Sequence, residues 1–269
     1  MNALQKLESA NHNNKFICVG LDTDINKLPE SLLKESNPIL EFNRRIIEAT
    51  SKYAAAYKIN FAFYEVEGAN GLKNIEQTLN YIPQDILTIG DAKRGDIGNT
   101  SKKYASAVFN SMGFDSITLH PYMGYDSVSP FLEYDDKLNF ILALTSNPGA
   151  SDFEKLKLSD GSYVFQKVIN AVNNWNKKKN CGIVFGATRS EELNENFEHI
   201  RDLPVLLPGV GAQGGKLHDV VNAFKEINRK RYLINISRGI IYKDSSDDFD
   251  MNAAEEIISL NNQVSNILS

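Results

Sequence analysis

Eight short, nearly uninterrupted apolar runs, each followed by a longer stretch of helical periodicity, recur from one end of the chain to the other. The runs are Phe16–Leu21, Ala55–Phe61, Ile86–Ile89, Ser116–Leu119, Phe140–Leu144, Gly182–Phe185, Val205–Leu207 and Leu233–Ile236. Strands apolar on both faces belong to parallel sheets covered by helices. The helical faces are predicted along Ile39, Phe42, Ile46, Ile47 and Ala49, along Val164, Val168, Ala171, Val172 and Trp175, and along Ala253, Ala254, Ile257, Ile258 and Leu260. Such a chain closes into a barrel or stays an open, doubly wound sheet. An open dinucleotide-binding sheet carries GxGxxG after its first strand, whereas here that strand runs into Gly20-Leu21-Asp22-Thr23-Asp24. Eight units with a helix after the last favour a (β/α)8 TIM barrel. No linker divides residues 1–269, so one domain is expected, with an irregular insert at about 147–161 whose length points to function.

A barrel of this kind builds its chemistry at the C-terminal ends of its strands. Those ends carry Asp22, Lys58, Asp91-Ala92-Lys93-Arg94-Gly95-Asp96, His120, Thr145-Ser146-Asn147, Thr188-Arg189, the PGVGAQGG run of 208–215, and Ser237-Arg238-Gly239. Asp91 and Lys93 are two apart, so a strand turns both to one face. With Lys58 and Asp96 they make a cluster of alternating charge. A bare D-x-K-x-x-D arises by chance in about one such chain in twenty, and a structural ion-pair network is its bland alternative. Its place after the third strand favours function.

The glycines of 208–215 and of the last strand end suit a phosphate, which backbone N–H groups and a forked guanidinium grip well. Gln213 and Arg238 are the candidate donors. His120, before a proline at a strand end, reads as a hydrogen-bonded packing residue. Twenty-nine basic against 34 acidic residues, a net charge of −5, argue against nucleic acid as a partner. No apolar run reaches the roughly 18 residues of a membrane span, and the first residues lack the pattern of a signal peptide. A cytoplasmic protein is expected, with no membrane partner. Cys18 and Cys181 sit in apolar runs and read as reduced core residues. No His/Asp/Glu set has convincing metal spacing.

Together these motifs resemble the orotidine 5′-phosphate decarboxylase family. Its D-x-K-x-x-D-I-x-x-T hallmark stands complete from Asp91 to Thr100, and the resemblance extends from Gly20-Leu21-Asp22 to Ile236-Ser237-Arg238-Gly239. The insert and the DAKRGDIGNTS wording are similar to the longer bacterial and protozoal subgroup. The resemblance implies decarboxylation of orotidine 5′-phosphate to UMP without a cofactor or metal, the last step of de novo pyrimidine synthesis. It implies that Lys93 protonates C6, that Asp91 faces the substrate carboxylate, and that Asp22 and Lys58 hold ribose hydroxyls. Ser146 would read the pyrimidine edge, and Gln213, Arg238 and Gly239 would bind the phosphate. Asp96, Ile97 and Thr100 would enter the site of a second copy, making the enzyme a homodimer.

Three rivals are distinguishable. The 3-keto-gulonate 6-phosphate decarboxylases and hexulose-phosphate synthases resemble the third strand but use magnesium, held partly by a glutamate where this chain has Lys58. A non-catalytic phosphoribosyl-binding barrel would not need Asp91, Lys93 and Asp96. A phosphosugar isomerase needs an acid and a base poised near neutral pH, and no such pair stands free of an intervening lysine.

Overall fold

In a computed structural model, which describes residues 1–186, 190–209 and 217–269, all eight apolar runs are strands. They are β1 (Ile17–Gly20), β2 (Ala56–Asn60), β3 (Leu87–Arg94), β4 (Ser116–Leu119), β5 (Leu138–Leu144), β6 (Cys181–Phe185), β7 (Val205–Pro208) and β8 (Tyr232–Ile236). Each pairs in parallel with the next, and β8 returns to β1, closing the barrel. The core is apolar on both sides of the strands because helices cover the outside while inward side chains fill the middle.

The register fixes how the inward residues stack. From Lys58 on β2, crossing two strands and stepping two residues forward leads to Thr118, then Val184, then Asn235, and then back to Lys58. Four such steps of two give the shear of about eight that characterises this barrel. The odd strands supply the level above, Gly20, Asp91, Leu142 and Pro208, and the level below, Cys18, Ile89, Phe140 and Leu206. The lower level is wholly apolar and buried. At the far end of the barrel, Ala3 and Leu7 of the helix Ala3–His12 pack into the same interior cluster. Both cysteines are buried free thiols, and burial pushes Cys18 up to about 12, away from the reactive thiolate.

Two helix faces differ from the sequence reading. On Val164–Trp175 the buried line is Phe165, Ile169 and Val172, with Val164, Val168, Ala171 and Trp175 only half-buried beside it. The stripe is rotated because Phe165 stacks on Tyr163 and meets Phe185 on β6, fixing the helix by its aromatic ring. On Pro38–Thr50, Asn43 and Thr50 are buried and Ala49 is not. Asn43 accepts from the Thr23 hydroxyl at 2.6 Å and donates to Tyr64 and Thr78, both at 2.9 Å. The Tyr64 hydroxyl in turn donates to the Leu21 carbonyl at 3.0 Å. This satisfied buried network braces the turn that leaves β1.

The stretch expected to be irregular contains a 3₁₀ turn, Pro148–Asp152, and a bridge between Lys157 and Tyr163. It is buttoned to the end of β5 by Glu154, which accepts from the Thr145 amide at 2.6 Å and from its hydroxyl at 2.9 Å.

Candidate active site

The strand ends converge on a cavity of about 290 Å³ that is lined by the two upper levels of the barrel and reaches Leu206 of the level below. Its polar side carries Asp22, Lys58, Asp91, Lys93 and Thr118, and its apolar side Leu142, Val184 and Leu206. Asp91 is the centre of the polar side. Its Oδ2 accepts from Lys58 Nζ at 2.8 Å, and its Oδ1 accepts from Lys93 Nζ at 2.7 Å and from the Thr118 hydroxyl at 2.9 Å. Lys58 also lies 3.5 Å from Asp22 Oδ1, a buried oxygen with no hydrogen bond.

Burial opposes the charge on Asp91, but the Lys58 and Lys93 ammoniums outweigh it and hold the carboxyl well below the usual range. Burial likewise disfavours a charged Lys58, and Asp91 and Asp22 outweigh it, raising its pKa above that of an ordinary lysine. Asp91 and Lys58 are therefore a fixed, ionised pair. The Lys58 side chain is only 5% exposed, whereas that of Lys93 is 49% exposed, so Lys93 is the ammonium that an incoming ligand can reach.

Lys93 owes its reach to local backbone geometry. β3 continues through the charges to Arg94, and the β3–β4 register breaks between Gly90 and Arg94. Within that break Lys93 has φ +45, a left-handed conformation that an L side chain adopts only at a cost. Arg94 turns the other way, over the rings of Phe61 and Tyr104 and against Glu65.

The remaining sequence candidates fall into three groups. Ser146 lines the cavity with Thr145 and Asn147, held in place where Gly186 leaves room: a Cβ there would lie 2.5 Å from the Ser146 amide nitrogen. Asp96, Ile97 and Thr100 do not line this cavity; they lead into the helix Gly98–Ser106, with Ile97 and Thr100 exposed and Asp96 accepting from the Ile97 amide at 2.7 Å. Arg238 and Gly239 are exposed at the start of the short helix Arg238–Ile241, outside the described lining. Gln213, and with it Thr188 and Arg189, lies outside the described residues. His120 is hydrogen-bonded as expected, accepting from the Tyr122 amide at 3.1 Å, but it is exposed rather than packed.

Sequence reasoning passed over Thr118, Asn60 and Asn235, all of which line the cavity. The signal was available: each is a polar residue at an inward position close to the C-terminal end of its strand. Asn235 Oδ1 is buried without a partner, facing the gap that Gly20 leaves beside it. Among the described residues no group of three or more His, Cys, Asp and Glu could hold a metal ion, and no helix is long and apolar enough to cross a membrane.

Comparison with known proteins places the chain. The model of the orotidine 5′-phosphate decarboxylase / HUMPS family matches residues 15–248. An orotidine 5′-phosphate decarboxylase of Christiangramia forsetii is 48% identical over 256 residues, covering 94% of this chain and 93% of that one. One from Dehalococcoides mccartyi is 45% identical over 259 residues, covering 95% and 94%. The solved structure of Leishmania donovani OMP decarboxylase superposes with a TM-score of 0.81 at 33% identity, covering 97% of this chain and 99% of that one.

Proposed function

The chain belongs to the orotidine 5′-phosphate decarboxylase / HUMPS family, and from that premise we propose that it is a carboxy-lyase converting orotidine 5′-phosphate to UMP and carbon dioxide. The reaction needs no cofactor, and it closes de novo pyrimidine synthesis. The observation that carries this reading is the Asp91 carboxylate clamped between two ammoniums, one buried and one open to the cavity.

The chemistry follows from that array. The substrate carboxylate at C6 sits toward Asp91 and Lys93. The bond from C6 to the carboxylate carbon breaks, the electron pair stays on C6, and carbon dioxide leaves. The Lys93 ammonium stabilises the developing carbanion and then gives C6 a proton, after which the neutral amine regains a proton from solvent at the mouth. Asp91 holds the Lys93 ammonium in place until that moment. Asp22 and Lys58 hold ribose hydroxyls, and Ser146 meets the pyrimidine edge. Gln213, Arg238 and Gly239 take the phosphate, whose binding energy is spent on the reacting end. Lys58 argues against the magnesium-dependent sister enzymes, since it puts a buried ammonium beside Asp22 and Asp91 where a cation would have to go.

The test is the ultraviolet absorbance of orotidine 5′-phosphate incubated with purified protein in EDTA. Steady loss of substrate absorbance is the expected result. Turnover that appears only on adding magnesium would transfer the chain to the sister enzymes, and binding without turnover would leave a non-catalytic barrel.

We further propose a homodimer in which Asp96, Ile97 and Thr100 complete the partner's site. In support, Ile97 is 58% exposed, and the large apolar side chains of Tyr122 and Phe153, whose rings meet each other, are exposed as well; exposed apolar side chains of this size are of the kind that an interface covers. If so, Lys93→Ala and Asp96→Ala proteins, each inactive alone, regain activity when unfolded and refolded together. An equal mixture should reach about one quarter of wild-type activity, because half the dimers are hybrids and each hybrid has one intact site of two. No recovery in a mixture shown to contain hybrid dimers would place Asp96 within its own chain's site.

A further inference from the structure

We infer that Thr118 is a positioning residue, whose hydroxyl sets where the Lys93 ammonium stands; the inference rests on the decarboxylase reading for its kinetic consequence. Lys93 lies where the ladder between β3 and β4 breaks, so its amide is not served by the regular strand pairing. That amide donates instead to Thr118 Oγ1 at 3.0 Å. The same hydroxyl donates to Asp91 Oδ1 at 2.9 Å, and this is the oxygen that accepts from Lys93 Nζ at 2.7 Å.

A closed ring results: from the Lys93 amide to Thr118, to Asp91, and back along the Lys93 side chain. The direction of each bond is forced. An ionised carboxylate only accepts, so the Thr118 hydrogen points to Asp91 and its lone pair faces the amide. One buried hydroxyl, 2% exposed, thus holds both the strained backbone of Lys93 and the carboxylate that aims its ammonium. The backbone at φ +45 has no glycine to make that conformation comfortable. Without the hydroxyl, the amide loses its acceptor and the strand is drawn back toward ordinary β geometry, which swings the side chain away. The ring meets the proposed sugar subsite only through the other oxygen of Asp91, which keeps Lys58, so orientation should suffer far more than affinity.

Thr118→Val removes the hydroxyl at nearly constant shape on a strand that favours β-branched residues, and Thr118→Ser restores it. Two readouts are taken on the full-length protein: steady-state decarboxylation, and hydrogen–deuterium exchange of the segment containing the Lys93 amide without ligand. For Thr118→Val, kcat is expected to fall by about 10- to 100-fold while KM stays within about threefold, the size of loss that a misplacement near 1 Å brings. Exchange at Lys93 should accelerate by at least about tenfold, as for a hydrogen bond whose loss costs on the order of 1.4 kcal/mol. Thr118→Ser should return both to near wild type. Unchanged exchange and kcat in Thr118→Val would overturn the inference. So would losses that Ser fails to restore, or kcat falling only in step with thermal stability. If the wild type does not decarboxylate orotidine 5′-phosphate, the functional reading fails, and the exchange contrast among the three proteins still decides whether Thr118 holds Lys93.

Discussion

Lys93→Ala is expected to lose on the order of 10⁴-fold or more in kcat, since it removes both the proton donor and the charge that stabilises the carbanion. The fold should survive, because the Lys93 side chain is half exposed and Asp91 keeps Lys58 and Thr118 as partners. Nucleotide binding should persist, measured as UMP affinity by calorimetry, because the proposed sugar and phosphate contacts are made elsewhere. Lys93→Arg is the informative companion. It keeps a cation in place but offers a guanidinium that does not give up a proton. Recovery of binding without recovery of turnover would separate attraction from proton transfer. Substantial turnover by Lys93→Ala would remove Lys93 from the reaction altogether.

Asp91→Ala should damage stability and activity together, which distinguishes it from Lys93→Ala. The Lys58 side chain is 5% exposed and would be left with only the longer, 3.5 Å contact to Asp22. Breaking one side of a buried ion pair costs about 3–5 kcal/mol, readable as a shift in the urea midpoint at pH 7. The pH dependence has a definite sign. Asp91 is held below the usual carboxylate range in the folded protein, so its stabilising contribution is complete above its unfolded pKa of about 4. It is lost as pH falls below that value, through the depressed folded pKa. Lys58, raised in the folded state, contributes fully below about 10.4 and weakens only as pH rises further. Wild type should therefore lose midpoint between pH 4 and pH 3 more steeply than Asp91→Ala. Parallel acid profiles would show that the array does not stabilise the fold.

Much of the fold was readable because burial on both strand faces leaves an unbroken apolar signature. All eight runs became strands, and the prediction that Asp91 and Lys93 share a face matches their ion pair and their shared place in the cavity lining. The boundary of β3 was misjudged for a physical reason. An apolar run ends where charge begins, but these charges satisfy one another inside the barrel mouth, so the strand continues to Arg94. The left-handed turn at Lys93 leaves no mark in composition, since lysine is not a residue that advertises positive φ. Asn43 was hidden differently: a polar residue on an amphipathic helix looks solvent-facing until Tyr64, Thr78 and Thr23 are brought round it from distant parts of the chain. The face of Val164–Trp175 was misread because several apolar residues flank the stripe that is buried. Asp96 enters the sequence reading through the D-x-K-x-x-D spacing, and Ile97 and Thr100 through family resemblance alone; within one chain none of the three lines the cavity.

The apolar level beneath the site also governs traffic. Cys18, Ile89, Phe140 and Leu206 stopper the barrel under Lys58 and Thr118, and the helix Ala3–His12 seals the opposite end. Among the described residues the interior is therefore a cul-de-sac that opens at the strand ends. A nucleotide must back out by the route along which it came, and carbon dioxide has no rear exit. However quickly the bond to carbon breaks, the next molecule waits on the departure of the last.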